Sequence, residues 1–172
     1  MARFVMKFGG TSVANIALLE RIADRVQRIQ EAGHQAVLVV SAMGHETDRL
    51  VTLAESVDFQ SLAARRELDV LLATGEQVTI ALLAMMLLKK GLAAKSYQGD
   101  QVRILTDDAH GRARVLSVET SELERDLSHD IVPVIAGFQG VAANGSTTTL
   151  GRGGSDTTAV AVAAALQADE CQ

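Results

Sequence analysis

The stretch Arg3-Phe-Val-Met-Lys-Phe-Gly-Gly-Thr-Ser-Val13 is followed by apolar residues at helical spacing and then by the continuous run Ala36-Val-Leu-Val-Val40. A short apolar run ending in glycines predicts a strand, and the amphipathic segment after it predicts a helix over residues 16–29, capped at its end by Gly33. The β-branched run predicts a central strand that is covered on both faces. The chain therefore begins with a β-α-β unit.

The rest of the chain continues this alternation of short β-rich runs and longer helical segments. Strands are expected over residues 93–98, 102–105, 114–118 and 131–136, helices over 48–57, 62–72, 76–90, a polar segment to 127 and 155–168, and a hairpin turn at Asn144-Gly145. The alternation predicts a three-layer αβα fold with a mostly parallel central sheet.

Two features of this pattern are unusual. Pro133 lies within an expected strand although proline removes a donor from the ladder, which leaves the place of that strand in the sheet open. The helix over residues 76–90 is apolar nearly all round, which predicts that it is wholly buried or buried partly against another subunit.

The composition fits one soluble globular domain. Of the 172 residues, 48% are hydrophobic and 22% are charged, and the net charge of −5 argues against binding to nucleic acid. The longest apolar stretch, residues 78–88, is about half a membrane span, so no membrane insertion is expected. A single cysteine, Cys171, excludes an internal disulfide and favours a cytoplasmic protein.

The glycine pair after the first strand has the features of a phosphate-binding loop. Lys7 precedes Gly9 and Gly10 at the carboxyl end of a strand, where open α/β sheets bind their ligands. Glycines let backbone N–H groups approach an anion, while the lysine and the start of the first helix add positive charge. The pattern is neither a Walker motif nor a dinucleotide fingerprint, and the alternative is a tight turn with an exposed lysine.

A second glycine-rich stretch, Thr148–Thr158, leads into the last helix. Arg152 stands between glycines, so its guanidinium is free to bind a carboxylate or phosphate through two parallel hydrogen bonds. The alternative is a flexible surface loop whose helix is capped by Ser155 or Asp156. Glu76 also has two interpretations, because a carboxylate at an expected helix start is explained by capping alone.

Other polar residues give weaker signals. Asp107-Asp108 has turn composition and is not expected to act as a general acid or base. No protein-built metal site is predicted, because the histidines are scattered without ligand spacing and are expected at the surface or in turns: His34, His45, His110 and His129. Phosphoryl transfer to a carboxylate needs no general base, since that nucleophile is already ionised, and the lysine, arginine and glycine loops suit it.

Five motifs of the chain occur in the same order in a known enzyme family. They are Lys7-Phe-Gly-Gly-Thr-Ser-Val13, Val39-Val-Ser-Ala-Met43, Thr74-Gly-Glu76, Gly137-Phe-Gln-Gly140 and Thr148-Thr-Leu-Gly-Arg-Gly-Gly-Ser-Asp156. On these residues the chain resembles the aspartate kinases of the amino acid kinase superfamily. The resemblance implies transfer of the γ-phosphoryl group of ATP, bound with Mg²⁺, to the β-carboxylate of L-aspartate. The product would be 4-phospho-L-aspartate, the first step toward lysine, threonine and methionine.

The resemblance also implies roles for individual residues. ATP would be bound by Lys7, Phe8, Gly9 and Gly10. Aspartate would be bound by Ser41, Thr47, Glu76, Phe138, Arg152, Gly153, Gly154 and Ser155. Glu76 would pair with the substrate ammonium group, and Arg152 with a substrate carboxylate. Lys7 and Asp156 would be catalytic, the first by stabilising charge on the transferred group and the second by organising the Mg–ATP end.

The family's pattern continues after residue 172 with a Thr-Asp-x-Asp-Gly nucleotide segment and ACT regulatory domains. Residues 1–172 are therefore expected to be the N-terminal, amino-acid- and phosphate-binding part of a C-terminally truncated kinase domain, weakly active or inactive alone. A homo-oligomer is expected. Two alternatives are another superfamily member, acting on glutamate, N-acetylglutamate, carbamate or a nucleoside monophosphate, and a non-catalytic subunit-association module.

Overall fold

The structure, a computed structural model, describes residues 1–57 and 61–172. Its strands are β1 Arg3–Phe8, β2 Gln35–Val40, β3 Ala94–Tyr97, β4 Ile104–Thr106, β5 Val115–Val118, β6 Val132–Ala136, β7 Gln139–Ala142, β8 Thr147–Thr149 and β9 Glu170–Cys171. Its α-helices are α1 Ile16–Glu31, α2 Glu46–Glu55, α3 Leu62–Lys89, α4 Ser121–Ser128 and α5 Gly154–Ala165. Apart from α3, the elements expected from the sequence are confirmed to within three residues at each end.

The main sheet is parallel throughout. Its strand order is β3-β6-β2-β1-β9, and β1 pairs with β2 from Arg3 opposite Gln35 to Phe8 opposite Val40. A smaller sheet, in the order β5-β4-β7-β8, has two antiparallel pairs around one parallel pair. The turn at Asn144-Gly145 joins β7 to β8, as predicted. The expectation of a mostly parallel sheet is confirmed.

Helices cover both faces of the main sheet, because successive side chains of a strand point to opposite faces. On one face Met6 and Leu38 form a buried cluster with side chains of α1 and α3. On the other face Val5 and Val37 form a cluster with side chains of α4 and α5. Burial on both sides explains the continuous apolar sequence of β2. The three-layer αβα architecture is confirmed.

α3 is one continuous helix where the sequence predicts two, over residues 62–72 and 76–90. Gly75 does not interrupt it. A methyl group on Gly75 would lie 2.9 Å from the Cβ of Ala42, so the glycine allows α3 to pack closely against the loop after β2. Glu76 lies in the middle of the helix, and its interpretation as a capping residue is wrong.

One side of α3 is buried and the other is exposed. Leu83 and Leu87 are completely buried, whereas Met85 and Leu88 are 64% and 55% exposed. By length and composition α3 is apolar enough to cross a membrane. Half of its most apolar 18-residue stretch is buried inside the protein, however, as in the core helix of a soluble protein. The expectation of complete burial is wrong, and burial of the exposed side against another subunit stays a prediction.

Pro133 lies inside the main sheet without breaking it. Val132 donates a backbone hydrogen bond to Ala93 on the side of β3, at 2.8 Å. Because backbone groups alternate in direction along a strand, the nitrogen of Pro133 faces β2. Pairing with β2 starts one residue later, with Val134 opposite Leu38. The missing donor therefore falls just outside the ladder.

Candidate functional site

A cavity of about 310 Å³ lies at the carboxyl ends of β1, β2 and β6, beside the start of α5. Its lining residues are Lys7, Gly9, Gly10, Ser41, Thr47, Glu76, Phe138, Gly151, Gly153, Gly154, Ser155 and Asp156. Larger grooves lie along α1 and between α5 and β5. The smaller cavity is the candidate site, because this edge of a parallel sheet binds ligands and two glycine loops, a lysine and a buried carboxylate meet there.

The first glycine loop, Gly9–Ser12, is pressed against the backbone that follows β2. A methyl group on Gly10 would lie 3.0 Å from the carbonyl oxygen of Gly44 and 3.1 Å from that of Ala42. The backbone N–H of Gly44 donates to the carbonyl oxygen of Gly10 at 2.9 Å. Glycine is therefore needed at this position for space between two backbone segments.

The positive charge of the first glycine loop comes from Lys7. The loop leads into a short 3-10 helix, Gly10–Val13, and α1 starts only at Ile16, with Asn15 as its N-cap. The first long helix thus begins at Ile16, as predicted, but the 3-10 turn separates it from the glycines. The Nζ of Lys7 lies 2.8 Å from Oδ1 of Asp156, which joins the first loop to the first turn of α5.

The second glycine loop, Leu150–Gly154, joins β8 to α5. Gly151 and Gly153 have φ angles of +77° and +75°, a left-handed conformation that favours glycine. Gly153 is the N-cap of α5, and Ser155 and Asp156 lie inside the first turn of the helix. The interpretation of Ser155 or Asp156 as the capping residue is therefore wrong.

Phe138 contacts the second glycine loop through its backbone and its ring. Its φ angle of +69° is uncommon for a residue with a side chain. The backbone fixes this conformation, because its N–H donates to Oγ1 of Thr158 at 3.1 Å and its carbonyl oxygen accepts from the N–H of Leu150 at 2.9 Å. A methyl group on Gly154 would lie 2.8 Å from the Phe138 ring, so loop and ring pack directly.

Glu76 reaches the cavity from the middle of α3 and is only 2% exposed. Its Oε1 accepts a hydrogen bond from the N–H of Ala42 at 3.0 Å, whereas Oε2 has no partner among the residues that the structure describes. Burial raises the pKa of Glu76 to about 7, although the hydrogen bond from Ala42 opposes the rise. An ammonium group in the cavity would satisfy this oxygen and stabilise the charge.

The cavity brings together most of the residues predicted from the sequence. On the side of β2, the Oγ of Ser41 lies 2.9 Å from the Oγ of Ser155, and Thr47 lines the cavity from α2. Two predicted residues do not line it. The ring of Phe8 lies in the groove along α1, 6.0 Å below the guanidinium of Arg25. Arg152 is exposed, between two lining glycines.

Two features of the site were missed from the sequence. Gly151 lines the cavity. Asp69 is completely buried and accepts hydrogen bonds from His110 and Thr149, and His110 lies in a turn, as predicted. Helical spacing is the signal that could have found Asp69, because it lies seven residues before Glu76 on α3.

The turn assigned to Asp107-Asp108 is confirmed. Oδ1 of Asp107 accepts hydrogen bonds from the backbone N–H groups of Ala109 and Arg114, at 3.3 Å and 3.0 Å. Within residues 1–57 and 61–172, no three His, Cys, Asp or Glu side chains gather in the manner of a metal site.

Comparison with known proteins identifies the family. The sequence profile of the amino acid kinase family matches residues 2–172. The chain belongs to the amino acid kinase family. Within it the chain is similar to aspartate kinases, as the motifs predicted. The aspartokinase of Pseudomonas aeruginosa is 57% identical over 172 residues, which cover all of this chain and 41% of that protein.

Solved structures agree with the sequence comparison. The crystal structure of aspartate kinase from Synechocystis has a TM-score of 0.80 and 44% identity, over 98% of this chain and 27% of that one. Aspartokinase III of Escherichia coli, in complex with aspartate and ADP, has a TM-score of 0.83 and 28% identity, over 98% of this chain and 48% of that one. The chain thus spans about two fifths of the length of the curated relatives that it matches.

Proposed function

We propose that the chain forms the amino-acid- and phosphate-binding part of an aspartate kinase, which converts ATP and L-aspartate into ADP and 4-phospho-L-aspartate. The observation that carries the proposal is the unsatisfied, buried oxygen of Glu76 in a cavity that is also lined by Lys7 and residues of the two glycine loops. An amino acid that receives a phosphoryl group needs an anionic contact for its ammonium group and cationic contacts for its carboxylates and for ATP. The structure of aspartokinase III in complex with aspartate and ADP, a substrate and a product of this reaction, supports the proposal.

In this proposal the first glycine loop binds the phosphates of ATP. Gly9 and Gly10 let backbone N–H groups approach phosphate oxygens, and Lys7 stabilises negative charge on the γ-phosphoryl group as it is transferred. Phe8 takes part through its backbone, because its ring lies on the α1 side. Asp156 is paired with Lys7 and is largely exposed, which supports a role in orienting Lys7 and in binding the Mg²⁺ that ATP brings.

The amino acid would bind between α3 and the second glycine loop. Glu76 accepts hydrogen bonds from the substrate ammonium group, and Arg152 folds inward to bind a carboxylate through two parallel hydrogen bonds. Gly153, Gly154 and Ser155 form the wall beside it. Further contacts come from the hydroxyl groups and the ring that line the cavity: Ser41, Thr47 and Phe138.

The reaction needs positioning more than proton transfer. A β-carboxylate with an ordinary pKa of about 3.9 is ionised at neutral pH, so no general base is required. One carboxylate oxygen attacks the γ-phosphorus, the bond to the β-phosphate oxygen breaks, and ADP leaves. Positive charge at Lys7 and the N–H groups of the first loop stabilise the charge on the transferred group.

A cytoplasmic homo-oligomer completes the proposal. The exposed side of α3 carries apolar residues at helical spacing, with Val78 51% and Met85 64% exposed. An apolar face of this kind is more stable when it is covered, and a second copy of the chain would cover it. Sedimentation of the purified chain tests this part, and a monomer at high concentration would contradict it.

Calorimetric titration of amino acids into the chain tests the proposed substrate. We expect L-aspartate to bind at pH 8, and L-asparagine and L-glutamate to bind at least about tenfold more weakly, because each lacks a carboxylate at the required position. Equal binding of the three amino acids, or no binding of L-aspartate, would contradict the proposal.

Phosphoryl transfer is tested with hydroxylamine, which traps an acyl phosphate as a hydroxamate. We expect slow formation of aspartyl hydroxamate from the chain alone, since the chain spans only 41% of the length of its relatives. Lys7→Ala should lower this rate and leave L-aspartate binding nearly unchanged. Hydroxamate formed from glutamate instead of aspartate would favour another member of the superfamily.

A further inference from the structure

α3 carries a second buried carboxylate, Asp69, seven residues before Glu76. Seven residues are almost two helical turns, so both side chains lie on the same face of α3, about 10 Å apart along its axis. Between them the Nε2 of Gln139 donates to the carbonyl oxygen of Ala73 at 3.0 Å. One face of one helix therefore carries both carboxylates and a contact to β7.

Three donors satisfy Asp69. Its Oδ1 accepts from Oγ1 of Thr149 at 2.6 Å and from the N–H of Gly111 at 3.1 Å. Its Oδ2 lies 2.7 Å from Nδ1 of His110, which carries the proton of this bond when Asp69 is a carboxylate. Asp69 thereby ties α3 to the loop after β4 and to the end of β8.

Two of the three partners of Asp69, Thr149 and Gly111, adjoin the second glycine loop. Thr149 is the last residue of β8, three residues before Arg152, and its carbonyl oxygen accepts from the N–H of Ala113 at 2.9 Å. A methyl group on Gly151 would lie 3.1 Å from the carbonyl oxygen of Gly111, so the glycine rests against that backbone. The loop that carries Arg152 is therefore supported on two sides by groups that Asp69 holds.

We propose that Asp69 and His110 are positioning residues, which hold the second glycine loop so that Arg152 can bind the carboxylate of a ligand whose ammonium group binds Glu76. This inference rests on the proposed function. α3 then sets the distance between Glu76 and Arg152, because it contacts the ligand through Glu76 and supports the second glycine loop through Asp69. Neither Asp69 nor His110 is among the residues that line the cavity. Their effect on the ligand is therefore indirect.

An Asp–His pair is also the arrangement of a general base with its orienting carboxylate. A general base must lie within hydrogen-bond reach of the proton that it takes. Asp69 and His110 are not among the residues that line the cavity, so this pair does not suit that role. A purely structural role is the other interpretation, and it predicts that loss of Asp69 weakens every binding contact alike. The positioning role predicts that loss of Asp69 weakens only the contact between Arg152 and the ligand.

A double-mutant cycle on L-aspartate binding separates these interpretations. We expect Asp69→Asn to weaken binding about tenfold and Arg152→Ala about a hundredfold. In the Arg152→Ala background, Asp69→Asn should weaken binding less than about twofold further, because the contact that it positions is already gone. A full tenfold loss retained in that background would overturn the positioning role.

Two further variants keep the test decisive if Asp69→Asn does not fold. His110→Ala should weaken binding in the same non-additive way. His110→Asn should restore most of the affinity, because an amide nitrogen can take the place of Nδ1. Failure of His110→Asn to bind better than His110→Ala would count against the hydrogen bond as the cause.

Matched controls test whether the coupling is specific. Thr47 lines the cavity from α2 and is not a partner of Asp69, whose hydrogen bonds come from His110, Gly111 and Thr149, so Thr47→Val and Asp69→Asn should be additive. Glu67 lies on α3 with a side chain 66% exposed, and Glu67→Gln should leave binding unchanged. Non-additivity between Thr47 and Asp69 as large as that with Arg152 would favour the purely structural role.

Limited trypsin digestion gives a measure that needs no ligand. Asp69→Asn should speed cleavage after Arg152 and Arg112 at least about threefold, because both loops lose an anchor, while cleavage after Arg125 on α4 stays the same. Unchanged cleavage after Arg152 would overturn the inference even if L-aspartate binds. If the unchanged chain does not bind L-aspartate, the proposed function fails, whatever the digestion shows.

Discussion

The two buried carboxylates of α3 differ in how well their surroundings satisfy them. Asp69 accepts hydrogen bonds from Thr149, His110 and the backbone of Gly111. Glu76, on the same face of the same helix, has one bond from Ala42 and one oxygen without a partner among the described residues. A buried carboxylate with hydrogen bonds to both oxygens stabilises the fold. A buried carboxylate with one oxygen unpaired destabilises it unless a ligand supplies the missing donor.

The difference assigns stability to one end of the helix face and binding to the other. Buried polar groups without partners are rare in folded proteins, and they concentrate at sites where a ligand completes the arrangement. Removal of each carboxylate should therefore have opposite effects on the free energy of unfolding. The following predictions test that contrast.

The largest expected effect is on the stability of the chain without Asp69. Asp69→Ala should lower the free energy of unfolding by about 3–5 kcal/mol, because it leaves the buried hydroxyl group of Thr149 and the donors of His110 and Gly111 without their acceptor. Urea unfolding followed by circular dichroism at pH 8 measures this. Glu67→Ala, on the exposed side of α3, is the control and should change the value by less than about 0.5 kcal/mol. A loss below about 1 kcal/mol for Asp69→Ala would show that its network is not a structural anchor.

Glu76→Gln should stabilise the chain, in contrast to Asp69→Ala. The raised pKa of Glu76, about 7, means that the folded state binds more protons than the unfolded state between pH 4.5 and 7. Stability from this group is therefore lost as the pH rises through that window, and the loss reaches about 3 kcal/mol above it.

Urea unfolding at several pH values measures the effect of Glu76→Gln. The variant should be up to about 3 kcal/mol more stable than the unchanged chain at pH 8 and nearly equal to it at pH 4.5. The same variant should bind L-aspartate poorly at both pH values. Parallel pH profiles of the two proteins would contradict a raised pKa at Glu76.

Ligand binding should depend on the ionisation of Glu76. L-Aspartate should bind about tenfold more weakly at pH 6 than at pH 8, because only the ionised carboxylate accepts hydrogen bonds from its ammonium group. At pH 7 binding should release about half a proton per ligand, since a group with a pKa of about 7 is then half protonated. Calorimetry in two buffers of different ionisation enthalpy measures this release. Release of the same amount by Glu76→Gln would assign the proton to another group.

The sequence predicts the fold because its signals are local. The β-branched run at Ala36–Val40, the amphipathic period after Gly10 and the glycines before the last helix each act over a few residues. The sequence wrongly predicts a break within α3 because the relevant signal is not local. Gly75 faces Ala42, a residue 33 positions earlier, and only that tertiary contact explains a glycine inside a continuous helix.

The candidate site shows the same limit. Motifs identify Lys7 and Arg152, because glycine-rich loops are recognisable from the local sequence. They do not find Asp69, whose partners lie 41 and 80 residues further along the chain. They also do not show that Glu76 has an unsatisfied oxygen, since burial and hydrogen bonding depend on the whole fold.

The smallest expected effect concerns Gly153, in the loop that Asp69 supports. Gly153 has a φ angle of +75°, and a methyl group there would meet no atom within 4 Å. Gly153→Ala should therefore cost only the conformational energy of a left-handed alanine, about 1 kcal/mol. If Asp69 holds this loop in shape, the cost should shrink in the Asp69→Ala background, where the loop can relax, and stay unchanged in Glu76→Gln. Equal costs in all three proteins, measured by urea unfolding, would mean that the loop keeps its shape without Asp69.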